Sequence, residues 1–202
     1  MAQIAAIIAA AGRSRRMGEP KQLLPWGHST VIATVVNNFT AAGVDPVLCV
    51  TGHRHQEIAS ALTASTAQIV YNELYATTDM LRSYQLGIQT LMANTQVHGT
   101  FLALGDQPHI SVAVLAQIFH QAQRTPDAIV IPSFQMRRGH PFYFPRCFWG
   151  ELLTLGTEET VRTVVKAHEN AIVYVNVDND AILYDMDTPD AYAALHNEHG
   201  AQ

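Results

Sequence analysis

Lysine and cysteine are scarce in this sequence, and each scarcity excludes a class of protein. Lysine occurs twice, at Lys21 and Lys166, and the 12 basic residues are outnumbered by 17 acidic ones, for a net charge of −5. A general DNA- or RNA-binding protein would carry a broad basic surface, so we expect no nucleic-acid partner. The two cysteines form no Cys-x-x-Cys pair, which argues against a thiolate zinc site.

Long hydrophobic runs are also missing. None approaches the roughly 18 apolar residues of a membrane-spanning helix, and no basic segment precedes the short apolar stretch near the N-terminus. We therefore expect no membrane association and a cytoplasmic location. Hydrophobic residues nevertheless make up 48% of the sequence, which is enough for a sizeable core. The length of 202 residues predicts one domain over residues 1–202.

Short apolar runs alternate with amphipathic stretches over the first two thirds of the chain. The runs predict buried strands at residues 4–9, 46–51, 99–105 and 128–133. The stretches between them have helical spacing, at residues 29–42, 54–64, 80–93 and 111–124. Ser29 and Ser111 stand where helix N-caps belong. Repeated strand–helix alternation predicts an α/β fold with a mostly parallel sheet covered by helices.

The alternation changes after residue 133. Residues 134–146 predict a hairpin or an extended excursion with Gly139 and Pro141 at its tip. Helical segments are expected at residues 147–154 and around 158–169, and a strand at 171–177. A short strand at 181–184 then leads through a turn into a closing helix.

A basic loop follows the first predicted strand directly. Four of the 12 basic residues fall within nine positions, around Gly12 and Gly18: Arg13, Arg15, Arg16 and Lys21. Like charges this close repel unless an anion sits among them, and backbone N–H groups beyond a parallel strand commonly hold phosphate. The two best-known phosphate loops, GxxxxGK[ST] and GxGxxG, are both absent. The alternative is a solvated basic loop without a ligand.

Four ordered motifs carry a resemblance to a known family. The segment "AAGRSRRMG" (10–18), followed by Lys21 and "LLPW" (23–26), resembles the signature of the Rossmann-like nucleotidyltransferases, in particular the molybdenum cofactor cytidylyltransferases. "GDQPHIS" (105–111), "RRGHP" (137–141) and "YDMDTPDAY" (184–192) agree in order and position. The resemblance spans essentially the whole chain. It implies a Rossmann-like three-layer α/β/α sandwich of the nucleotidyltransferase type.

The resemblance also implies roles for individual residues. Arg16, Lys21 and Asp106 would be catalytic, since Arg16 and Lys21 would stabilise charge on the α-phosphate and the leaving pyrophosphate. The nucleotide would be bound by Ala10, Ala11, Gly12, Arg13, Ser14, Arg16, Lys21, Gly105, Asp106 and Gln107. The acceptor would be bound by Arg82, Ser83, Arg138, Gly139 and His140.

A metal site is expected where carboxylates follow strands. A triphosphate in a catalytic site normally carries Mg²⁺, which prefers one or two carboxylates plus phosphate oxygens. Asp106 follows a predicted strand, and five of the nine aspartates fall between Asp178 and Asp190. The family pattern implies Asp106 and Asp187 as the metal pair, supported by Asp185. The alternatives are a turn-forming Asp106 and a helix-capping Asp187 or Thr188.

The substrates follow from the same resemblance. Ala11 replaces the second glycine of the guanylyl branch, and with Gln107 it favours CTP. The implied reaction joins CMP to the molybdopterin cofactor and releases pyrophosphate, and a molybdoenzyme of the hydroxylase type is a further possible partner. The alternatives are guanylyl transfer, cytidylyl transfer to another phosphorylated acceptor, and a chaperone that holds cofactor without turnover. One departure concerns the acceptor: Asp79 replaces a family glycine, and Arg82 either contacts an acceptor phosphate or pairs with Asp79.

Overall fold

One eight-stranded sheet organises the computed structural model, which describes residues 3–14 and 16–200. The strands are β1 (Gln3–Ala10), β2 (Pro25–Trp26), β3 (Ser29–Thr30), β4 (Val47–Thr51), β5 (Gln68–Tyr71), β6 (Val97–Leu104), β7 (Ile129–Phe134), β8 (Arg137–Arg138), β9 (Phe142–Pro145) and β10 (Ile172–Asn176). The helices are α1 (Val31–Ala41), α2 (His55–Ala61), α3 (Met80–Leu91), α4 (Val112–Arg124), α5 (Trp149–Thr154), α6 (Val161–Ala167) and α7 (Pro189–His199). Arg15 of the basic loop lies outside the described residues.

The sheet has the order β10-β7-β9-β6-β1-β4-β5, with β8 paired to the end of β7 and with β2 and β3 forming a separate hairpin. The predicted mostly parallel sheet is confirmed. Two strands are exceptions: β9 runs antiparallel to both β6 and β7, and the short β8 runs antiparallel to β7. Leu102 of β6 pairs with Phe142 at the start of β9. The loop that precedes β9 therefore reaches the same edge as the residues that follow β6.

Two helical layers cover the sheet, which confirms the three-layer α/β/α fold. Side chains of a strand alternate between faces, so Ile4 and Ile8 of β1 pack with α1, α2 and α4, whereas Ile7 packs with α3, α5 and α6. All three isoleucines are buried. Continuous apolar strands are what a sheet covered on both faces requires.

A smaller core fixes the loops at the carboxyl edge of the sheet. It joins Met17 of the basic loop, Trp26 of β2, Met186 of the acidic segment and Leu195 of α7. Met186 is fully buried, so burial of its side chain anchors the chain on either side of it. This small core is what brings the basic loop and the acidic segment together.

Several local expectations need correction. The N-cap of α1 is Thr30, whose hydroxyl accepts from Ala33 N, and Ser29 lies one residue too early. Ser111 caps α4 as predicted, since it accepts from Val114 N. The tip of the 134–146 excursion is formed by Gln135 and Met136, both with positive φ, because β8 pairs back onto β7 before Gly139.

The expected strand at 181–184 is instead a short 3-10 turn, Ala181–Leu183. The turn buries Ala181 and Ile182 against the sheet, which satisfies the same apolar residues without strand pairing. Within the described residues, no helix is both long and apolar enough to cross a membrane.

Candidate active site

Ser14 folds the basic loop back onto Lys21. Its hydroxyl accepts a hydrogen bond from the Lys21 backbone N at 3.2 Å and donates one to Gln22 Oε1 at 3.4 Å. The Ser14 carbonyl also accepts from Met17 N at 2.9 Å. These contacts fix the backbone at the end of the basic loop, and the side chain of Lys21 therefore lies at the carboxyl end of β1.

Lys21 stands at the centre of an ionic cluster. Its Nζ contacts Oδ2 of Asp106 and donates to Oδ1 of Asp187 at 2.7 Å. Arg16 Nη1 donates to the other oxygen of Asp187, also at 2.7 Å. Asp106 follows β6 and Asp187 precedes α7, so residues from three distant segments meet at one point. The catalytic and metal-ligand roles that the sequence suggests for them stay predictions.

The charged forms of Lys21 and Asp187 are stabilised within this cluster. Burial lowers the pKa of Lys21, but the neighbouring Asp106 and Asp187 outweigh it, so the net shift is upward. The hydrogen bond from Lys21 lowers the pKa of Asp187, against partial burial, and the charges of Lys21 and Arg16 add to the lowering. Lys21 is therefore a cation and Asp187 an anion across the physiological range.

Thr188, and not Asp187, is the N-cap of α7. The hydroxyl of Thr188 accepts from Ala191 N at 3.2 Å, and Pro189 occupies the first turn of α7. Thr188 thus fills the capping position. The Asp187 carboxylate is left for Lys21 and Arg16.

Gly12 leaves open space beside the cluster. A Cβ built on Gly12 would meet no atom within 4 Å, and its φ is not in the left-handed region. Neither packing nor backbone conformation therefore demands glycine here. Gly105 differs, because a Cβ there would approach Ala10 Cβ and the Ala9 carbonyl to 3.0 Å. Glycine at 105 lets the ends of β1 and β6 pack closely, whereas glycine at 12 keeps the loop backbone accessible.

Gln107 was expected to contact the nucleotide, but its side chain does not face the cleft. Its side chain is only 5% exposed, and Nε2 donates to the Tyr184 carbonyl at 3.1 Å. Gln107 ties the turn that carries Asp106 to the segment that carries Asp185 and Asp187. Its place in the structure is that of a positioning residue, and direct nucleotide contact would require it to turn outward.

Tyr75 packs against the basic loop on its β4 side, and the sequence did not predict this contact. The guanidinium of Arg13 lies 5.4 Å from the ring centroid of Tyr75, and the His53 ring lies 6.2 Å from the same ring. Gly52 permits this packing, since a Cβ there would come within 2.9 Å of Ala11 Cβ. Ala11 and Tyr75 thus both pack close to Gly52. An aromatic residue in an irregular segment gives no periodic signal, so the sequence did not reveal it.

A cavity of about 790 Å³ lies on the other side of the cleft, between α3, α6 and the loop before β9. It is lined by Asp79, Met80, Leu81, Tyr84, Ile131, Arg138, Gly139, His140, Phe142, Thr160, Val161, Arg162, Val165, Lys166 and Glu169. Arg138, Gly139 and His140 were expected to contact the acceptor. The contribution of α6 was not foreseen.

His140 connects this cavity to the carboxylates. Burial is the first cause that lowers its pKa, and its charged neighbours are Asp185, Arg162 and Asp106. The imidazole is therefore uncharged at neutral pH. Gly139 makes the position possible, because a Cβ on it would collide with the Ile182 carbonyl at 2.4 Å.

Arg82 and Ser83 lie outside the residues that line the cavity. Ser83 is buried within α3, and Arg82 Nε is buried without a hydrogen-bond partner in the described chain. Asp79 does not pair with Arg82 in the part of the chain described. It caps α3 by accepting from Leu81 N at 3.0 Å. The ion pair between Asp79 and Arg82 is thus absent from the described residues, and contact of Arg82 with an acceptor phosphate stays a prediction.

Comparison with known proteins places the chain in a family. Residues 6–172 match the MobA-like NTP transferase domain. The chain therefore belongs to the family of MobA-like NTP transferases and is a nucleotidyltransferase.

Two curated proteins and two solved structures are similar to most of the chain. The molybdenum cofactor cytidylyltransferase of Escherichia coli (strain K12) is 26% identical over 193 residues, which cover 95% of both chains. The nicotine blue oxidoreductase of Paenarthrobacter nicotinovorans is 28% identical over 68% of this chain and 69% of its own. The crystal structure of Rv0371c from Mycobacterium tuberculosis H37Rv superposes with a TM-score of 0.83 at 30% identity, covering 98% of this chain and 100% of that one. A complex of Rv0371c with manganese superposes with a TM-score of 0.77 at 28% identity, over 96% and 98%.

Proposed function

We propose that this nucleotidyltransferase transfers CMP from CTP to the molybdopterin cofactor, giving molybdopterin cytosine dinucleotide and pyrophosphate. The observation that carries the proposal is the contact of Lys21 with both Asp106 and Asp187, beside the open backbone of Gly12. The cytidylyltransferase of E. coli matches nearly the full length of both chains, and it is the relative we follow for substrates.

The chemistry requires charge stabilisation more than proton transfer. A phosphate oxygen of the acceptor attacks the α-phosphorus of CTP and forms a new P–O bond. The bond to the bridging oxygen breaks, and pyrophosphate leaves with the electron pair. Lys21 and Arg16 are the cations within reach of the developing negative charge. The attacking phosphate is already an anion, so no general base is needed.

A divalent cation fits the residues at this point. Asp106 and Asp187 already gather oxygen donors around one positive charge, the ammonium of Lys21. Among the described residues, no group of three His, Cys, Asp or Glu side chains forms a metal cage. Two carboxylates plus substrate phosphates are a usual donor set for Mg²⁺, which when bound would neutralise phosphate charge. Asp106 and Asp187 would hold Mg²⁺, with Asp185 nearby, and the manganese complex of Rv0371c supports a divalent ion.

The choice of CTP depends on the loop after β1. Ala11 is buried, and its methyl group lies beside Gly52. We propose that this methyl limits the space for a purine base. Gln107 supports selection indirectly, through the segment that it holds at Tyr184.

Pyrophosphate release tests the proposal. Purified protein is incubated with Mg²⁺, molybdopterin and each of CTP, GTP, ATP and UTP in turn. We expect release with CTP. Release with GTP alone would establish guanylyl transfer instead. Release with CTP and a different phosphorylated acceptor, but not with molybdopterin, would replace the acceptor.

The same assay separates an enzyme from a chaperone. Tight molybdopterin binding without pyrophosphate release under any nucleotide would indicate a cofactor-holding protein. A cytoplasmic location, a single domain over residues 1–202 and a hydroxylase-type molybdoenzyme as recipient remain predictions from the sequence.

A further inference from the structure

Three cations without ion-pair partners surround the large cavity. Arg138, Arg162 and Lys166 line it, and none of them forms an ion pair within residues 3–14 and 16–200. They are three of the 12 basic residues of an acidic chain, and Lys166 is the second of its two lysines. Arg162 and Lys166 stand four residues apart on α6, a spacing at which like charges destabilise a helix. An anion between them would remove that repulsion.

The wall beneath these cations is apolar. Val161 and Val165 of α6 are buried, as are Leu81 of α3 and Phe142 of β9. Met80 remains 45% exposed at the same cavity. A volume of about 790 Å³ lies in the range of sites for whole small molecules. It exceeds what a bare phosphate would need.

The cavity adjoins the ionic cluster. Two of its lining residues, Tyr84 and His140, have pKa values influenced by the charge of Asp106. Arg162 acts on His140 as well. The hydroxyl of Tyr84 also donates to the Ala103 carbonyl of β6 at 3.3 Å, so the cavity lies beside the strand that leads to Asp106.

We propose that α6 holds the acceptor: Arg162 and Lys166, with Arg138, bind its phosphate, and the apolar wall binds its body. This inference depends on the proposed function, because it assigns the acceptor of that reaction to this cavity. The acceptor class is a phosphate on a largely apolar or aromatic body. A polyol phosphate would leave the wall of Leu81, Phe142 and Val165 uncovered. The first turn of α3, with Arg82 and Ser83, contributes no direct contact.

Calorimetric binding tests the assignment without requiring turnover. The probes are 6-hydroxymethylpterin phosphate, erythritol 4-phosphate and inorganic phosphate, each added to the full chain. We expect the pterin phosphate to bind at least tenfold more tightly than the other two. The double variant Arg162→Gln/Lys166→Gln should weaken pterin phosphate binding at least 20-fold, and Lys166→Gln alone should weaken it about fivefold.

The matched control is Arg124→Gln, an exposed cation at the end of α4 on the opposite face of the sheet. It should bind the pterin phosphate like the unmodified protein. All replaced side chains are exposed, so unchanged melting temperatures are expected and are measured alongside. CTP affinity should also be unchanged in the double variant, which separates this cavity from the nucleotide side.

Each outcome bears on one proposal. Unchanged pterin phosphate binding in the double variant, or equal binding of erythritol 4-phosphate, overturns the assignment of the cavity. Pyrophosphate release from CTP with an unaltered acceptor KM in the double variant leaves the proposed function intact and also overturns the cavity assignment. Pterin phosphate binding that depends on Arg162 and Lys166, without pyrophosphate release from any nucleotide, sustains the cavity and refutes the reaction.

Discussion

On the side of the cleft proposed to bind the nucleotide, Lys21 and Arg16 already contact carboxylates, whereas on the cavity side Arg162 and Lys166 contact none within the described chain. The first group is neutralised within the protein. In the proposed reaction, an entering triphosphate would replace the carboxylates as the partner of Lys21 and Arg16, and a divalent cation would bind the carboxylates that are released. The second group is free to accept an anion as it stands.

The two sides differ in kind. On the first, which we call an exchange site, a ligand must replace existing ion pairs; on the second, a preformed site, the cations are unpaired before the ligand binds. Affinity at an exchange site depends on what replaces the internal ion pairs, so metal and nucleotide should enter together. Affinity at a preformed site depends on shape and on unpaired charge. Variants on the two sides should therefore fail in different ways.

Removal of the Asp106 carboxylate should cause the largest loss of activity among these variants. Asp106→Asn leaves Lys21 with one carboxylate partner and removes an oxygen charge proposed to hold Mg²⁺. We expect pyrophosphate release to fall by about 10³-fold, with a melting temperature close to that of the unmodified protein. The control is Asp190→Asn, an exposed residue in the first turn of α7. Near-normal rates in Asp106→Asn would remove that residue from the mechanism.

Acid should weaken the anchoring of the carboxylate segment through His109. Burial, with a smaller contribution from His199, lowers the pKa of His109 from 6.5 to about 4, and its ring lies 6.4 Å from that of Tyr184. Between these pKa values the unfolded chain binds more protons than the folded one. The stability that His109 contributes is thus complete above about pH 6.5 and is lost as the pH falls towards 4, by up to about 3 kcal/mol.

Denaturant unfolding between pH 7 and pH 4.5 measures this effect. His109→Leu should flatten the dependence of the unfolding free energy on pH. The comparison variant His120→Leu, which alters an exposed histidine of α4, should leave the slope unchanged. An identical slope in His109→Leu would show that other groups govern acid sensitivity.

A methyl group at residue 12 should fill space reserved for a ligand. Gly12→Ala meets no protein atom, so the melting temperature should not fall. CTP binding should weaken by about 30-fold, as expected for overpacking of a close backbone contact. Gly150→Ala is the matched control, since its Cβ also meets nothing within 4 Å but lies on α5. Calorimetric titration with CTP checks both, and unchanged affinity in Gly12→Ala would place the triphosphate elsewhere.

The smallest expected effect concerns the base. Ala11→Gly removes the methyl beside Gly52 and should raise the rate with GTP relative to CTP by about tenfold. The measurement is kcat/KM for each nucleotide with the same acceptor. If the ratio does not change, the selection of the base lies outside the loop after β1.

The sequence predicted the central strands and the major helices because their apolar patterns are long and regular. The predictions from the sequence are wrong where tertiary contacts determine the local conformation or the orientation of a side chain. Ala181 and Ile182 are apolar in either a strand or a 3-10 turn, and only packing against the sheet selects the turn. Gln107 belongs to a recognisable motif, yet whether its amide faces a ligand or the Tyr184 carbonyl depends on the fold.

The candidate site was predicted unevenly for a related reason. Lys21, Asp106 and Asp187 sit in short motifs at strand ends or helix starts, so their approach to one edge followed from topology. Arg162 and Lys166 sit in an ordinary amphipathic helix, where charged residues usually face solvent. The observation that links them to a ligand is the cavity, which no local pattern encodes.

The reversed direction of β9 has a consequence for how such a protein could change its substrate. Because β9 is held by pairing with both neighbours, residues 135–141 form a replaceable insert between two fixed ends. Under the proposed function, exchange of that insert would alter the choice of acceptor and leave the nucleotide side unchanged. A one-residue shift in the register of β9 would instead move the insert by about 3.3 Å and turn every side chain of β9 to the opposite face of the sheet.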